Sequence, residues 1–204
     1  MNIEPLSLGK VAEQPLCATY TLIDSPDRRL VLRPLNPRDV QGLTIFLEGL
    51  SQETRGFHSF SSYDEKCATD LCNSINVYDK LRLVLELTSK EYQEIIGVFM
   101  FGFDIVKGDI ERYRGYGIEL INDTVCRLSP CITDDYQGQG YGSLAMSHMV
   151  DIAHRFGQKS IILLGGVLAR NFRAIRFYEK NGFQNMGVWI NPDNQECLDM
   201  IRNI

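Results

Sequence analysis

The chain lacks the long apolar stretch of a bilayer span: no run approaches about 18 residues. It also shows no basic-then-apolar leader, so the expectation is a cytoplasmic protein with no membrane partner. A basic excess is missing too. Lys and Arg number 21 against 26 Asp and Glu, and the resulting net charge of −5 argues against a nucleic-acid partner. The six cysteines, Cys17, Cys67, Cys72, Cys126, Cys131 and Cys197, contain no Cys-x-x-Cys pair and no companion histidine spacing. Reduced thiols and no metal site are therefore expected. There is no internal repeat and no low-complexity tract. Two common phosphate spellings are absent as well. A nucleotide P-loop needs Lys-Ser or Lys-Thr after its last glycine, and a dinucleotide fingerprint needs Gly-x-Gly-x-x-Gly.

What is present is Tyr136-Gln-Gly-Gln-Gly-Tyr-Gly-Ser143, lying between an apolar run over 124–133 and a helical pattern over 143–156. Glycines at alternate positions leave the backbone nearly bare, so its N–H groups can approach a ligand closely. The helix start just beyond adds partial positive charge and unpaired donors, which suit a phosphate or pyrophosphate. Some thirty residues later comes Asn171-Phe-Arg-Ala-Ile-Arg-Phe-Tyr-Glu-Lys-Asn-Gly-Phe183. Its Asn171, Ala174 and Tyr178 share one helix face, and Asn181-Gly182 marks the helix end.

Gln137, Gly140 and Gly142 spell Gln-x-x-Gly-x-Gly, which resembles the acetyl-CoA pyrophosphate loop of the GCN5-related N-acetyltransferases (GNAT). The Asn171–Phe183 stretch resembles that family's second motif, in the same order and at the same distance. The resemblance covers roughly residues 30 to 190. It implies an α/β fold: a mixed, mostly antiparallel sheet with a splayed central parallel pair, flanked by helices. Residues 1–28 are read as an N-terminal extension with room for an extra strand, and 29–204 as a single N-acetyltransferase domain. The implied co-substrate is acetyl-CoA. The implied cofactor-binding residues are Cys131, Ile132 and Thr133 for the pantetheine arm and thioester oxygen, Gln137, Gly138, Gln139, Gly140, Tyr141, Gly142 and Ser143 for the pyrophosphate, and Asn171 for the pantetheine. Tyr178 is implied as general acid for the departing thiolate.

Along the chain, 1–14 reads as a polar tail or short cap. Strands are expected at 17–23 and 29–33, helices at 38–50 and 64–73, and two antiparallel strands at 81–87 and 95–103. Residues 104–116, carrying both charge signs, read as an insertion. Pro130 cannot donate to a ladder, so the 124–133 strand is expected to be bulged or unpaired there. After the glycine loop come a helix with Leu144, Ala145, Met149, Ile152, Ala153 and Phe156 on one stripe, a buried strand over 160–167, and two strands around a turn at 191–194.

An alkyl amine has a pKa of about 10 and must lose a proton before it attacks a thioester. Many relatives carry a glutamate where this chain has Arg127. Glu119, Asp123 or a water chain are left as bases, and Glu119 is taken as the catalytic candidate. Arg127 is either solvated at a strand edge or meets an acidic group on the substrate. The resemblance puts residues 51–63 at the acceptor mouth, and Arg55 and Phe57 are taken as substrate-binding. The expected acceptor is a primary amine of a small polar molecule. A protein lysine or N-terminus, a non-catalytic acyl-CoA sensor, and assembly into a homodimer all stay open.

Overall fold

The computed structural model describes residues 4–58, 60–73 and 80–204. Its contacts group into two compact units: Leu6–Met100 with Pro130–His148, and Phe101–Ser129 with Met149–Ile204 plus Glu4 and Pro5.

In the first unit the expected polar tail is partly a core element. Leu6 and Val11 are buried, and Ser7 caps a short helix, α1 (Leu8–Glu13), by accepting the Lys10 N–H. Strands β1 (Tyr20–Asp24) and β2 (Arg28–Pro34) pair antiparallel, Tyr20 opposite Leu32 and Asp24 opposite Arg29. Asn36 and Asp39 then form a reciprocal capping box that leads into α2 (Val40–Gly49). The Asp39 carboxylate is also held by Arg33, whose guanidinium spans Asp39 at 2.8 Å and Glu86 at 2.6 Å. Helix α2 is followed by a single turn, α3 (Gln52–Arg55), and by α4 (Glu65–Asn73). Strand β3 (Lys80–Ser89) pairs antiparallel with β2, and β4 (Gln93–Gly102) lies beside β3. The core of this unit joins Leu43, Phe46 and Leu47 of α2, Cys67, Ala68 and Cys72 of α4, and Val84, Ile95, Val98 and Cys131.

In the second unit, the stretch expected as an insertion contains a helix, α5 (Lys107–Gly115). Its charged residues hide two inward-facing positions. Tyr113 is fully buried and donates its hydroxyl hydrogen to the Met200 carbonyl at 3.0 Å, and Asp109 is buried beside Arg112. Strand β5 (Val125–Ile132) leads through the glycine loop into α6 (Tyr141–Arg155). The helix begins two residues earlier than the sequence pattern suggests. Its buried stripe is Ala145, Met146, Met149, Ile152 and Ala153, spaced three and four apart, while Leu144 stays 45% exposed. Strand β6 (Ser160–Leu163) runs parallel to β5, from Val125 opposite Ser160 to Leu128 opposite Leu163. The Leu164 N–H closes this ladder on the Leu128 carbonyl, and β5 runs on past it to Ile132. Pro130, with no N–H to give, lies beyond the last paired residue. The expected strand over 160–167 is cut at Leu163 because Gly165 and Gly166 both take positive φ. A short β7 (Val167–Leu168), helix α7 (Phe172–Lys180), β8 (Gln184–Ile190) and β9 (Glu196–Asn203) complete the unit, with β9 antiparallel to β6, β7 and β8.

The architecture is thus the expected mixed, mostly antiparallel α/β one, with β5 and β6 as a parallel pair and with flanking helices.

Candidate active site

The glycine loop follows a short turn, Asp134–Tyr136. Gly138 and Gly140 have φ of 76° and 88°, which residues with side chains avoid, and a Cβ built on either meets nothing within 4 Å. The loop therefore presents bare backbone to open space. Helix α6 opens at once at Tyr141, and the first N–H groups of a helix have no partner within it. Bare backbone leading to a helix N-terminus fits the pyrophosphate of a coenzyme A. The two tyrosines of the loop serve it from behind. Tyr141 is buried, accepts a hydrogen bond from Arg28 at 2.7 Å and packs edge-on to Tyr136 at 5.8 Å. Tyr136 donates to the Glu94 carboxylate, and burial together with that charge pushes its phenol well up.

Gln137 fixes the loop rather than facing outward. Its Nε2 donates to the Ile132 carbonyl at 2.8 Å and to Thr54 Oγ1 at 3.3 Å, and its backbone N–H goes to the Asp134 carbonyl. Gln139 Nε2 likewise bonds back to the Asp135 carbonyl.

At the end of β5, the Thr133 N–H donates to the Ile96 carbonyl at 3.0 Å. Gly97 makes this approach feasible, since a Cβ there would lie 2.6 Å from Ile132 Cδ1 and 3.3 Å from the Cys131 carbonyl oxygen. Cys131 is buried, and burial, reinforced by the charge of Asp134, pushes its thiol far above the usual range.

Side-chain hydrogen bonds tie together the described residues of 51–63. Arg55 Nη2 donates to the Leu47 and Glu48 carbonyls, which closes the end of α2, and its guanidinium lies 4.8 Å from the Tyr63 ring centroid. Tyr63 in turn donates its hydroxyl toward the Arg55 and His58 carbonyls. Phe57 is half-buried. His58 is half-buried too, and burial, only partly opposed by the charge of Asp134, pulls its imidazole down to about 4. Asp134 links this segment to the loop. One carboxylate oxygen accepts the Ser51 N–H at 2.9 Å; the other accepts the Ser51 hydroxyl at 2.7 Å and the Thr54 hydroxyl at 2.6 Å. Burial alone would raise this carboxyl, but the Ser51 and Thr54 hydrogen bonds overcome it and hold the group below the usual carboxylate range. Nothing local in the sequence marks Asp134, because its partners stand about 80 positions away.

The second unit carries the other motif. Asn171 is the N-cap of α7, its Oδ1 accepting the Ala174 N–H at 3.1 Å, which leaves the Nδ2 end of the amide for a ligand. Tyr178 is buried and packs edge-on against Phe183 at 5.3 Å. Glu119 and Asp123 lie exposed between α5 and β5, Asp123 with a positive φ of 68°. Arg127 corrects the expectation of a solvated strand-edge residue. It is 6% exposed and ion-paired with Asp104 at 2.7 Å, with Asp109 3.7 Å away. Asp109 also holds Arg112, which reaches the fully buried Asp199 at 2.8 Å. The charge of Arg127 is therefore spent inside the protein. The signal for its partners was a pair of aspartates in a stretch read as an insertion.

Among the described residues, no group of three or more His, Cys, Asp or Glu is placed to hold a metal ion, and no helix is long and apolar enough to cross a membrane.

The chain resembles known proteins in sequence and in fold. A model of the acetyltransferase (GNAT) family matches residues 59–183. Acetyltransferase PA5475 of Pseudomonas aeruginosa is 23% identical over 146 residues, which is 72% of this chain and 71% of that one. The GNAT domain of S. lividans PAT superposes with a TM-score of 0.66 at 17% identity, covering 93% of this chain and 99% of its own. An aminoglycoside acetyltransferase, AAC(6')-Ib, in complex with coenzyme A and kanamycin gives 0.64 at 18%, covering 84% and 93%. The ribosomal-protein-S5-alanine acetyltransferase of Vibrio fischeri gives 0.66 at 10%, covering 90% and 96%. At these identities the solved structures establish a shared fold. The family match extends over more than half of the chain and contains both motifs, so the chain belongs to the acetyltransferase (GNAT) family, acyltransferases whose acetyl donor is acetyl-CoA.

Proposed function

We propose that this acetyltransferase moves the acetyl group to a primary amine of a small polar molecule, by direct attack of the neutral amine on the thioester. The observation that carries the donor half of this reading is the open glycine loop running into α6, which suits the pyrophosphate; the hydroxyls and rings of residues 51–63 support a small polar acceptor. Acetyl-CoA supplies the acyl group as an activated thioester. The N–H groups of Gly138, Gln139, Gly140, Tyr141, Gly142 and Ser143 hold the pyrophosphate, with Gln137 keeping the loop in shape. Backbone groups of Cys131, Ile132 and Thr133 hold the pantetheine, the Ile132 N–H polarising the thioester carbonyl while that of Thr133 stays on Ile96, and Asn171 bonds the pantetheine arm through Nδ2. Glu119 takes a proton from the acceptor ammonium, directly or through water, so that nitrogen can bond to the carbonyl carbon. As the carbon–sulfur bond breaks, Tyr178 gives its hydroxyl proton to the leaving thiolate, and the second proton shed by the new amide nitrogen restores Tyr178 through water. Phe57 lines the acceptor, and Arg55 shapes its wall by holding Tyr63. Residues 1–28 act as an extension that supports the loop through Arg28, in front of a single catalytic domain beginning at residue 29.

A protein amine is the second reading, favoured by the net charge of −5, which attracts lysine-rich segments. The two separate with salt: recruitment of a basic peptide weakens steeply with ionic strength, and that of a small amine held by short contacts does not.

The test mixes the protein with acetyl-CoA and a panel of amines and follows free thiol. Amine-dependent release is expected. It should fall about 10²–10⁴-fold in Tyr178→Phe, with coenzyme A affinity unchanged. Full activity in that variant removes Tyr178 from the chemistry. Coenzyme A binding with no release from any amine would make the chain an acyl-CoA sensor.

A further inference from the structure

The Asp134 network has a direction that hydrogen counting fixes. A carboxylate only accepts, so the single hydrogens of the Ser51 and Thr54 hydroxyls must point at Asp134. Their lone pairs are then available in the other sense. Ser51 Oγ accepts the Thr54 N–H at 3.1 Å, and Thr54 Oγ1 accepts from Gln137 Nε2. Gln137 must therefore keep its amide nitrogen turned inward, toward Thr54 and Ile132, or lose two bonds at once. One chain of donors thus runs from the glycine loop, through Thr54, to Asp134, and Asp134 returns it to the start of α3.

Helix α3 has only four residues, too few to persist without its ties. Its N-cap, Ser51, is the residue that Asp134 grips by both N–H and hydroxyl. Asp134 opens the turn that leads into Gln137, so a shift of the loop as it closes on an anion moves the carboxylate. Three hydrogen bonds transmit that shift to residues 51–54. Arg55 and Tyr63 extend it to the Arg55 and His58 carbonyls.

We propose that Asp134 is a positioning residue through which coenzyme A at the glycine loop sets the order and geometry of residues 51–57. This inference rests on the functional reading above, which places the cofactor at the loop and the acceptor beside that segment.

Amide hydrogen exchange with and without coenzyme A tests it, in the wild type, Asp134→Asn and Thr54→Val. In the wild type, coenzyme A slows exchange over 138–143 and also, by about tenfold, over 52–57. In either variant the loop keeps its response, while the response of 52–57 falls below about twofold. A purely structural role would speed exchange over 52–57 equally with and without coenzyme A, and that result overturns the proposal. So does a wild-type response confined to the loop. If coenzyme A protects neither segment, the loop assignment itself falls, and the proposal with it. Thr54→Val keeps the test decisive should Asp134→Asn fold poorly, because it removes the hydroxyl that joins Gln137 to Asp134 and leaves the carboxylate in place.

Discussion

Asp134 and Asp109 are both carboxylates drawn away from water, and the chain holds them by opposite means. Asp109 sits between two guanidiniums, those of Arg112 and Arg127, in a cluster that also includes Asp104 and Asp199. Asp134 is held by an amide N–H and two hydroxyls. An ion cluster of the first kind gives rigidity and punishes the loss of any member, because the survivors remain buried and charged. Neutral donors bond less strongly and can shift by tenths of an ångström without such a penalty. The chain places the stiff arrangement under α5 and β9, and the adjustable one between the glycine loop and α3.

The largest effect that would break this contrast is on stability. Arg127→Leu leaves Asp109 and Asp104 short of a partner and is expected to destabilise the protein by about 3–5 kcal/mol. Chemical denaturation measures it. A loss below about 1 kcal/mol would mean that the cluster is no stiffer than an exposed ion pair. The next effect falls on binding. Gly140→Val forces a side chain into a left-handed conformation, for which L-residues lose about 1–2 kcal/mol, and places it on the face proposed for pyrophosphate. Coenzyme A affinity is expected to fall about tenfold, with most of the fold's stability kept. Calorimetric titration decides it, and unchanged affinity in a folded variant would remove the loop from the cofactor site. The smallest effect is one of pH. The His58 imidazole is pulled from 6.5 to about 4, so the unfolded chain binds its proton more readily than the folded one. Its contribution is complete above about pH 6.5 and is lost as pH falls toward 4. His58→Gln should flatten the stability profile across that window, and thermal melts at a series of pH values will show whether it does.

How much of this was legible in the sequence depended on how local each feature is. Gln137 to Gly142 and Asn171 to Phe183 could be read because a glycine-rich turn and a helix with its cap are written in consecutive residues. Helix α5 was obscured because seven of its nine residues are charged or glycine, and only Tyr113 and Asp109 show which face turns in. Arg127 was misread for a related reason. A strand arginine looks solvated until Asp104 and Asp109 are seen beside it, and a strand's own sequence does not name its neighbours. The same holds for Asp134, whose meaning lies in Ser51 and Thr54. In α6, Met146 stands three residues before Met149 and seven before Ala153 and so shares their buried face, while Leu144 falls at the flank of that face and stays exposed.

Burial of the Cys131 thiol bears on a side reaction that any handler of thioesters must avoid. An acyl thioester exchanges readily with another thiolate, and a cysteine ionised at the end of β5 would capture the acetyl group and hold it as a dead-end adduct. Only the thiolate is nucleophilic. With Cys131 sealed in the core and its proton held firmly by its surroundings, that competitor is silenced, and the strand end proposed for the donor carries an inert sulfur.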